Sequence, residues 1–518
     1  MKKFLTLLLP LLVFAQNIYL VSVILDAERL EPLYAAELDI VGEFEHYAFC
    51  IVEDKDITKL SPFEFQILDT NPVSGPYYFV KILDPSLDLS RYGSVLLQDN
   101  DNVLIRLLSA SPAALMTEPV MLKYVTFKPL VHASGMTFNI IRSDPTIQEI
   151  VALVNADSIL ATVQRLQDFI TRYSTHDSCD AAAAYIASRF NQYGCDSVFT
   201  QNHSSGHAPN AIGVKSGNVY PDSIYTVVCG HFDSYSNMAP NIAPGADDNA
   251  SGTASVIEAC RVMQNYEFEY SVRYIAFSGE EFGLFGSAYY AAYARMANDS
   301  ILGVINADMI AYVDAQPESI EVIGSLASPP CGPLCDFFIA CADTYTNLLT
   351  HKRLTNNWIP SDNQSFNDNG YVAFLNIDDY YPTNPWYHTT GDTIGSGFNN
   401  LPFCTEVTKA QTAALATMAV PYNTVVTELK NRNICPRNLT ILPSIGKNRF
   451  HFLLDQNNEN ADLAIYNSTG VEINRFRTKI PFIWDGTNHN KSELPAGVYF
   501  VKVNVAGSSF AGKLIKVR

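Results

Sequence analysis

The chain has 518 residues, with 34 Lys and Arg against 53 Asp and Glu, which gives a formal net charge of −19 at pH 7. An acidic surface repels nucleic-acid phosphates and anionic lipid headgroups, so the composition argues against a nucleic-acid partner. Hydrophobic residues make up 47% of the chain, which excludes a disordered tail or a collagen-like repeat. At roughly 150 residues per domain, the length predicts three or four folded units.

The first 15 residues have the layout of a secretory signal peptide. Met1-Lys2-Lys3 is a short basic start, an apolar run covers residues 4–14, and Ala15 is a small residue at the expected cleavage position. The apolar run is shorter than the roughly 20 residues that a membrane-spanning helix needs, and no later run reaches that length. We therefore expect an exported, soluble chain that begins at Gln16 and has no membrane span.

Residues 16–143 contain several strand-like runs and predict a β-rich N-terminal domain. One example is the run over 120–127, in which apolar and polar residues partly alternate. No group of residues with a recognisable chemistry occurs in this region, so the sequence assigns no role to it.

From residue 144 to about 434 the pattern changes to alternating helices and strands. The spacing predicts helices over 159–173 and 180–193, and strands over 223–229 and 270–277. A strand, helix, strand order of this length predicts an α/β fold, with a mostly parallel sheet covered by helices on both faces.

Polar residues follow the ends of these strands, where an α/β sheet collects its functional groups. His231 comes directly after the first strand, and the pair Glu280 and Glu281 follows the second. Asp308 follows a third apolar run. An acidic turn with Asp247 and Asp248 lies between the first two strands, and His388 lies near the end of the unit. The order predicts a cluster of imidazoles and carboxylates at one sheet edge.

Such a set of ligands suits zinc, and the lack of thiolates is typical of a catalytic rather than a structural site. Two ions about 3.5 to 4 Å apart would need one bridging carboxylate and one imidazole with one carboxylate each. Glu280 and Glu281 are adjacent, so they cannot both point the same way on an extended strand end. One of them can bind metal while the other serves as general base.

The ordered motifs resemble the secreted di-zinc aminopeptidase family of bacterial leucyl aminopeptidases, over about residues 155–420. The motifs are His231-Phe232-Asp233-Ser234, Ala243-Pro244-Gly245-Ala246-Asp247-Asp248-Asn249-Ala250-Ser251-Gly252, Gly279-Glu280-Glu281-Phe282-Gly283-Leu284-Phe285-Gly286-Ser287, Asp308-Met309 and His388-Thr389-Thr390-Gly391-Asp392-Thr393.

This resemblance implies two zinc ions per chain and a zinc-peptidase type of fold. His231 and Asp308 would bind one ion, Glu281 and His388 the other, and Asp247 would bridge them. Glu280 would be the general base. The resemblance also implies that Asp233 and Asp392 orient the two histidines, and that the Asp247-Asp248 peptide bond is cis.

One segment departs from the family pattern. Where the family has a tyrosine that helps to hold the developing oxyanion, between two cysteines, this chain has the segment 358–366. Trp358 or a neighbour takes the tyrosine's place, and an indole N–H is its only donor.

Residues 435–518 consist of short strand-like runs between turns and predict a small β-sandwich. The segments Trp484-Asp485-Gly486, Leu494-Pro495-Ala496-Gly497-Val498-Tyr499-Phe500 and Lys513-Leu514-Ile515-Lys516-Val517-Arg518 resemble the sorting domains of the bacterial type IX secretion system and the related immunoglobulin-like flagellar-hook capping domains. The resemblance implies export by a Gram-negative-type bacterium, recognition by the secretion machinery, and a secreted or cell-surface location.

The sequence thus predicts an exopeptidase that hydrolyses N-terminal residues from peptides with a zinc-bound water and Glu280. Two alternatives on the same fold stay open: a glutaminyl cyclase, which would use one zinc ion, and a carboxypeptidase. An alternative of another class is a surface binding protein with a vestigial metal site. The presence of Glu280 and of every expected ligand favours the enzyme.

Overall fold

The computed structural model describes residues 17–25, 30–72, 76–109, 111–131, 138, 143–326, 329–378, 383–422, 439–442, 445–446, 450–454, 459–467, 471–480, 482–505 and 508–516. The chain divides into two compact units, Met1–Asn423 and Thr424–Arg518. The predicted signal peptide, residues 1–15, lies outside the described residues. The region predicted as a separate N-terminal domain, 16–143, belongs to the same compact unit as the α/β region that follows it.

The N-terminal region contains two antiparallel four-stranded sheets. Its elements are β1 (Ile18–Ile24), α1 (Leu30–Ala35), β2 (Asp39–Glu43), β3 (Tyr47–Glu53), β4 (Phe65–Thr70), β5 (Tyr77–Ile82), β6 (Gly93–Asp99), β7 (Asn102–Leu107) and β8 (Val120–Tyr124). The strand orders are β2-β3-β1-β4 and β6-β7-β5-β8. Among the described strands, β8 therefore lies at one edge of the second sheet, next to β5.

An eight-stranded sheet forms the centre of the larger unit. Its elements are α2 (Pro145–Ala152), α3 (Ala156–Gln167), α4 (Asp177–Gln192), β9 (Ser197–Gln201), β10 (Asn210–Lys215), β11 (Tyr220–His231), α5 (Ala250–Met263), β12 (Tyr270–Phe277), α6 (Phe285–Met296), β13 (Ser300–Ala307), β14 (Ser319–Ser325), α7 (Gly332–Tyr345), β15 (Leu349–Thr355), α8 (Asn363–Asp368), β16 (Ala373–Ile377) and α9 (Leu401–Ala419). The strand order is β15-β14-β16-β13-β11-β12-β10-β9, with a parallel centre from β16 to β12.

Helices cover both faces of this sheet, as the sequence predicts. Side chains alternate along a strand, so Val228 packs into one buried cluster with α2, α3, α4, α5, α7 and α9. Val227 and Cys229 face the opposite side, in a second cluster with α6 and α8. The alternating order of helices and strands was therefore sufficient to predict the layers of this unit.

The predicted helix over 159–173 is shorter in the structure, where α3 ends at Gln167. Ile170 has φ 68°, a left-handed conformation that a helix cannot continue through. The chain then enters an irregular segment in which Arg172 is completely buried. Across the described parts of the chain, no single helix is both long and apolar enough to cross a membrane, although the bent pair α2 and α3 passes that test together.

The C-terminal unit contains two sheets. Its strands are β17 (Leu439–Leu442), β18 (Ile445–Gly446), β19 (Phe450–Leu454), β20 (Glu459–Asn467), β21 (Glu472–Ile480), β22 (Phe482–Trp484), β23 (Gly497–Val505) and β24 (Ser508–Lys516). The orders are β17-β19-β22 and β18-β24-β23-β20-β21. Trp484 from one sheet and Leu463 and Val503 from the other share one buried apolar cluster. The likeness of the C-terminal unit to immunoglobulin-like sorting domains stays a prediction.

Candidate metal centre

The polar residues collect at the carboxyl ends of the central strands because three of these strands run parallel and in step. His231 is the last residue of β11 and pairs with Phe277, the last residue of β12. On the other side of β11, Cys229 pairs with Asn306 near the end of β13. The segments that carry Glu281 and Asp308 therefore leave the sheet beside His231.

Two groups of candidate ligands form there, and they share one carboxylate. We call His231, Asp248 and Asp308 the inner group, and Asp248, Glu281 and His388 the outer group. Within each group the ligand atoms lie within 4.8 Å of one another. Asp248 is the shared residue: its Oδ1 lies 3.4 Å from Nε2 of His231, and its Oδ2 lies 3.4 Å from Nε2 of His388.

The spacing of the ligand atoms fits two tetrahedral zinc sites. Zn–N and Zn–O bonds of about 2.0 to 2.2 Å place the ligands of a tetrahedron about 3.3 Å apart. In the inner group, Nε2 of His231 lies 3.2 Å from Oδ1 of Asp308. In the outer group, Nε2 of His388 lies 2.9 Å from Oε2 of Glu281. Oε1 of Glu281 is buried without a hydrogen-bond partner, which leaves it available as a ligand atom.

The charges of the site also indicate a cation. Burial and the negative charge of Asp248 raise the pKa of Glu281 to about 7. Burial lowers the pKa of His388, but the charges of Glu281 and Asp248 outweigh it and raise that pKa to about 10. His231 behaves similarly, since Asp308 and Glu280 raise its pKa well above the usual value against the effect of burial. The carboxylates outnumber the two imidazoles, so the site has an excess of negative charge that a cation would neutralise.

The residue common to both groups is Asp248, whereas Asp247, the predicted bridging residue, belongs to neither group. Its Oδ1 accepts from the backbone N–H of Ala311 (2.9 Å) and its Oδ2 accepts from Nδ2 of Asn384 (3.3 Å). Asp247 therefore braces two loops that carry ligands, while Asp248 faces the imidazoles. The cis peptide bond is likewise one residue later than predicted, at Asp248-Asn249.

Of the two aspartates predicted to orient the histidines, one lies beside its histidine and the other does not. Asp233 lies beside His231: its backbone oxygen is 3.1 Å from Nδ1 of the ring and its Oδ1 is 3.6 Å away. Asp392 does not contact His388. Its two carboxylate oxygens instead accept from the backbone N–H groups of Asp247 (2.9 Å) and Asp248 (3.0 Å). Asp392 therefore orients Asp248 rather than a histidine.

Two further residues hold the centre and were not predicted. Oγ of Ser361 donates to Oδ2 of Asp308 over 2.6 Å, which leaves Oδ1 facing His231. The buried guanidinium of Arg172 donates to the backbone oxygens of Phe232 (2.6 Å), Pro244 (2.7 Å) and Gly245 (2.7 Å). Arg172 thus ties the segment after β11 to the turn that presents Asp248. A buried, fully hydrogen-bonded arginine has no sequence signature beyond its charge.

Glu280 lines the same cavity as the two groups but belongs to neither. Its backbone N–H donates to Oδ1 of Asp233 over 3.2 Å, which fixes the start of the loop. Burial raises the pKa of Glu280; the charge of His231 lowers it in part, and the charges of Asp308 and Glu281 raise it further. A carboxylate with a raised pKa beside a metal centre is suited to accept and return a proton.

Trp358 is not among the described residues that line the cavity, although its neighbour Pro360 is. The side chain of Trp358 is buried in a cluster with residues of the N-terminal sheets, such as Leu20 and Phe44. Among the described residues that line the cavity, Tyr387 is the only one with a hydroxyl. Its ring stacks on His388 with a centroid distance of 3.9 Å and an interplanar angle of 16°.

Comparison with known sequences places this site in a peptidase segment. Residues 210–400 match the profile of Peptidase family M28, and this segment contains every residue of both groups. A probable zinc metalloprotease of Pyrenophora tritici-repentis is 32% identical over 190 residues, covering 32% of this chain and 39% of that protein. The probable aminopeptidase YDR415C of Saccharomyces cerevisiae is 26% identical over 271 residues, covering 49% and 71%. The chain thus spans well under two thirds of the metalloprotease's length.

Solved structures share the fold over a larger part of the chain. The LapA aminopeptidase of Legionella pneumophila has a TM-score of 0.55 at 19% identity, covering 68% of this chain and 100% of that one. LapB of Legionella pneumophila has a TM-score of 0.51 at 17% identity, covering 78% and 99%. The sequence matches support a hydrolase built on the M28 segment, and the structural matches support its mixed α/β fold.

Proposed function

We propose that the protein is a metal-dependent aminopeptidase that binds two zinc ions per chain and removes N-terminal residues from peptides. One observation carries this proposal: the carboxylate of Asp248 faces two imidazoles at equal distances of 3.4 Å, and each imidazole has a further carboxylate of its own. A shared carboxylate between two such groups is the arrangement that a pair of catalytic metal ions requires.

The residues present fit the metal. His231 and Asp308 would hold one ion, His388 and Glu281 the other, and Asp248 both. When bound, the two ions supply a Lewis acid for the scissile carbonyl and a lowered pKa for the attacking water.

The remaining steps fall to the side chains of the cavity. Glu280 would accept the proton of the attacking water and return it to the departing amine, which its raised pKa favours. Tyr387 would donate its hydroxyl proton in a hydrogen bond to the carbonyl oxygen as negative charge develops there. The carboxylates of the two groups would attract the free α-ammonium group, which predicts a preference for unblocked N-termini.

The first experiment measures zinc content per chain together with turnover of a panel of aminoacyl anilides, with and without a chelator. We expect two zinc ions, turnover, and loss of turnover on chelation that added zinc restores. One zinc ion with cyclisation of an N-terminal Gln peptide would indicate a glutaminyl cyclase, and release of C-terminal residues a carboxypeptidase. Turnover that is unchanged by chelation would overturn the metal mechanism, and no turnover of any peptide would indicate a binding protein.

A second experiment isolates the general base. In Glu280→Gln the side chain keeps its size but cannot accept the proton, so we expect kcat to fall by about 100- to 10,000-fold. Because Glu280 belongs to neither group, zinc content should stay at two ions per chain. Loss of metal from this variant would contradict the assignment.

We also propose export from the cell, with removal of the first 15 residues and recognition of the C-terminal unit by secretion machinery in a Gram-negative-type bacterium. The proposal rests on the order of basic, apolar and small residues at the start of the chain and on the motifs of the C-terminal unit. N-terminal sequencing of the protein from the culture medium and the cell surface would test it. A protein found inside the cell with Met1 intact would contradict it.

A further inference from the structure

The N-terminal region, to which the sequence assigned no role, forms one wall of the cavity that holds the metal centre. Four of the residues that line the cavity belong to β8 and the turn before it: Met116, Val120, Met121 and Leu122. The ligands and Glu280 line another part of the cavity, so its surface has an apolar part and a strongly polar part.

Met121 differs from its neighbours on β8 because successive residues of a strand face opposite sides. Val120 and Leu122 are buried among the apolar side chains of their own sheet. Met121 is only partly buried and packs against a cluster that contains Met309, Ile377 and Tyr387. Met309 follows the ligand Asp308, and Tyr387 precedes the ligand His388. The thioether of Met121 therefore lies against the residues next to the metal centre.

Two contacts connect β8 to α8 and to the loop that carries Glu280 and Glu281. Nζ of Lys123, which is mostly buried, lies 2.6 Å from Oδ2 of Asp368 at the end of α8. The backbone N–H of Tyr124 donates to the oxygen of Gly283 over 3.2 Å. Gly283 has φ 109°, and a Cβ there would lie 2.7 Å from the nitrogen of Tyr124, so only glycine permits this approach. Because Gly283 is two residues after Glu281, β8 is joined directly to the ligand loop.

From this geometry we propose that Met121 determines substrate specificity, by forming the wall of the pocket that receives the first side chain of the peptide. The inference rests on the proposed aminopeptidase function. Met121, Met309 and Ile377 present only methyl, methylene and thioether groups, so this part of the cavity suits an uncharged, apolar side chain. Methionine adapts its shape to such a side chain better than a branched residue does.

The test compares two variants of opposite size with a matched control. Met121→Ala enlarges the pocket, and Met121→Trp fills it. Met296→Ala removes the same side chain from an exposed position at the end of α6, where it is 80% exposed. For each protein, kcat/KM is measured with Ala, Leu, Phe and Lys anilides, together with zinc content and melting temperature.

In Met121→Ala, we expect the ratio of kcat/KM for the Phe anilide to kcat/KM for the Leu anilide to rise about tenfold. In Met121→Trp, we expect the ratio of kcat/KM for the Leu anilide to kcat/KM for the Ala anilide to fall about tenfold. Zinc content should stay unchanged, and Met296→Ala should keep the wild-type profile. If the wild type cleaves the anilides but all variants keep its profile, the role of Met121 is overturned while the proposed function stands. If the wild type cleaves none of them, the proposed function fails and this inference with it.

Discussion

The inner and outer groups of the metal centre share Asp248 but hold their histidines by different means. His231 is almost fully buried, with a side-chain exposure of 1%, and hydrogen bonds with the backbone oxygen of Asp233. His388 is 15% exposed, and its Nδ1 has no hydrogen-bond partner among the described residues. Two aromatic rings position it instead: Tyr387 stacks on one face, and Tyr235 meets it edge-on at 5.0 Å.

Because of this difference, we expect the two groups to bind metal with unequal affinity. A hydrogen bond to the second ring nitrogen fixes the tautomer of a ligating histidine and strengthens it as a ligand, whereas stacking fixes only the plane of the ring. We therefore expect the inner group to bind its ion more tightly. The outer ion should exchange more readily, since its histidine is the more accessible one.

The largest expected effect comes from replacing Asp248, the residue that the two groups share. Asp248→Asn removes one carboxylate charge from both groups, so zinc content should fall from two ions toward none and activity should be lost. Asp247→Asn is the matched control, because Asp247 contacts only loop donors; it should keep both ions. Mass spectrometry of both variants measures the number of zinc ions per chain and shows which of the two aspartates binds zinc. Zinc loss in Asp247→Asn alone would restore the bridge that the sequence predicted.

We expect a low pH to weaken zinc binding more at the outer group than at the inner group. Each histidine must lose a proton to bind zinc, and the pKa of His388 is raised to about 10, so zinc affinity rises with pH across the neutral range. Glu281, whose pKa is about 7, binds one additional proton below that pH. From pH 8 to pH 6 we expect about a 100-fold loss of zinc affinity at the inner group. At the outer group, the loss of zinc affinity should be about ten times larger than at the inner group. Competition with a chelator at several pH values measures this, and parallel curves would contradict it.

A smaller effect is expected from the hydroxyl that holds Asp308. Ser361→Ala removes the donor to Oδ2 of Asp308 and should weaken the inner ion by about 10- to 100-fold. The outer ion should be unaffected, because Ser361 holds Asp308, which is not a member of the outer group. Stepwise chelator titration would show the two ions leaving closer together than in the wild type.

The smallest effect concerns the stacked ring. Tyr387→Leu removes the aromatic face beside His388, and a stacking contribution of about 0.5 to 1.5 kcal/mol corresponds to roughly a 2- to 13-fold loss of affinity at the outer group. Tyr387→Phe keeps the stack and is the matched control, with zinc affinity near the wild type. Equal zinc loss in both variants would mean that the hydroxyl, and not the stack, holds this group.

The clustering of imidazoles and carboxylates could be predicted from the sequence because strand ends are easy to find. β11 and β13 are apolar runs that stop directly before or at a polar ligand, and parallel strands bring those ends together. The choice between Asp247 and Asp248 could not be made from this pattern. It depends on which carboxylate the turn directs at the imidazoles, and that direction is set by Asp392, 144 positions further along the chain.

The contribution of the N-terminal region was beyond prediction for a similar reason. Nothing in the run that contains Met121 differs from an ordinary strand of a buried sheet. Its position beside Met309 and Tyr387 results from tertiary packing, through the ion pair of Lys123 with Asp368 and the close approach at Gly283. Such long-range contacts leave no local periodicity in a single sequence.

The wide separation of the ligands along the chain has a consequence for assembly. They come from the ends of β11 and β13, the loop after β12, the turn before α5 and the loop before α9, so no short fragment contains a complete group. In an unfolded chain these donors share no geometry, and zinc binding therefore adds its free energy to the folded state alone. At a free zinc concentration about 1,000 times the dissociation constant, this adds about 4 kcal/mol per ion. The local zinc supply would thus act as a folding condition for this unit as well as a requirement for catalysis.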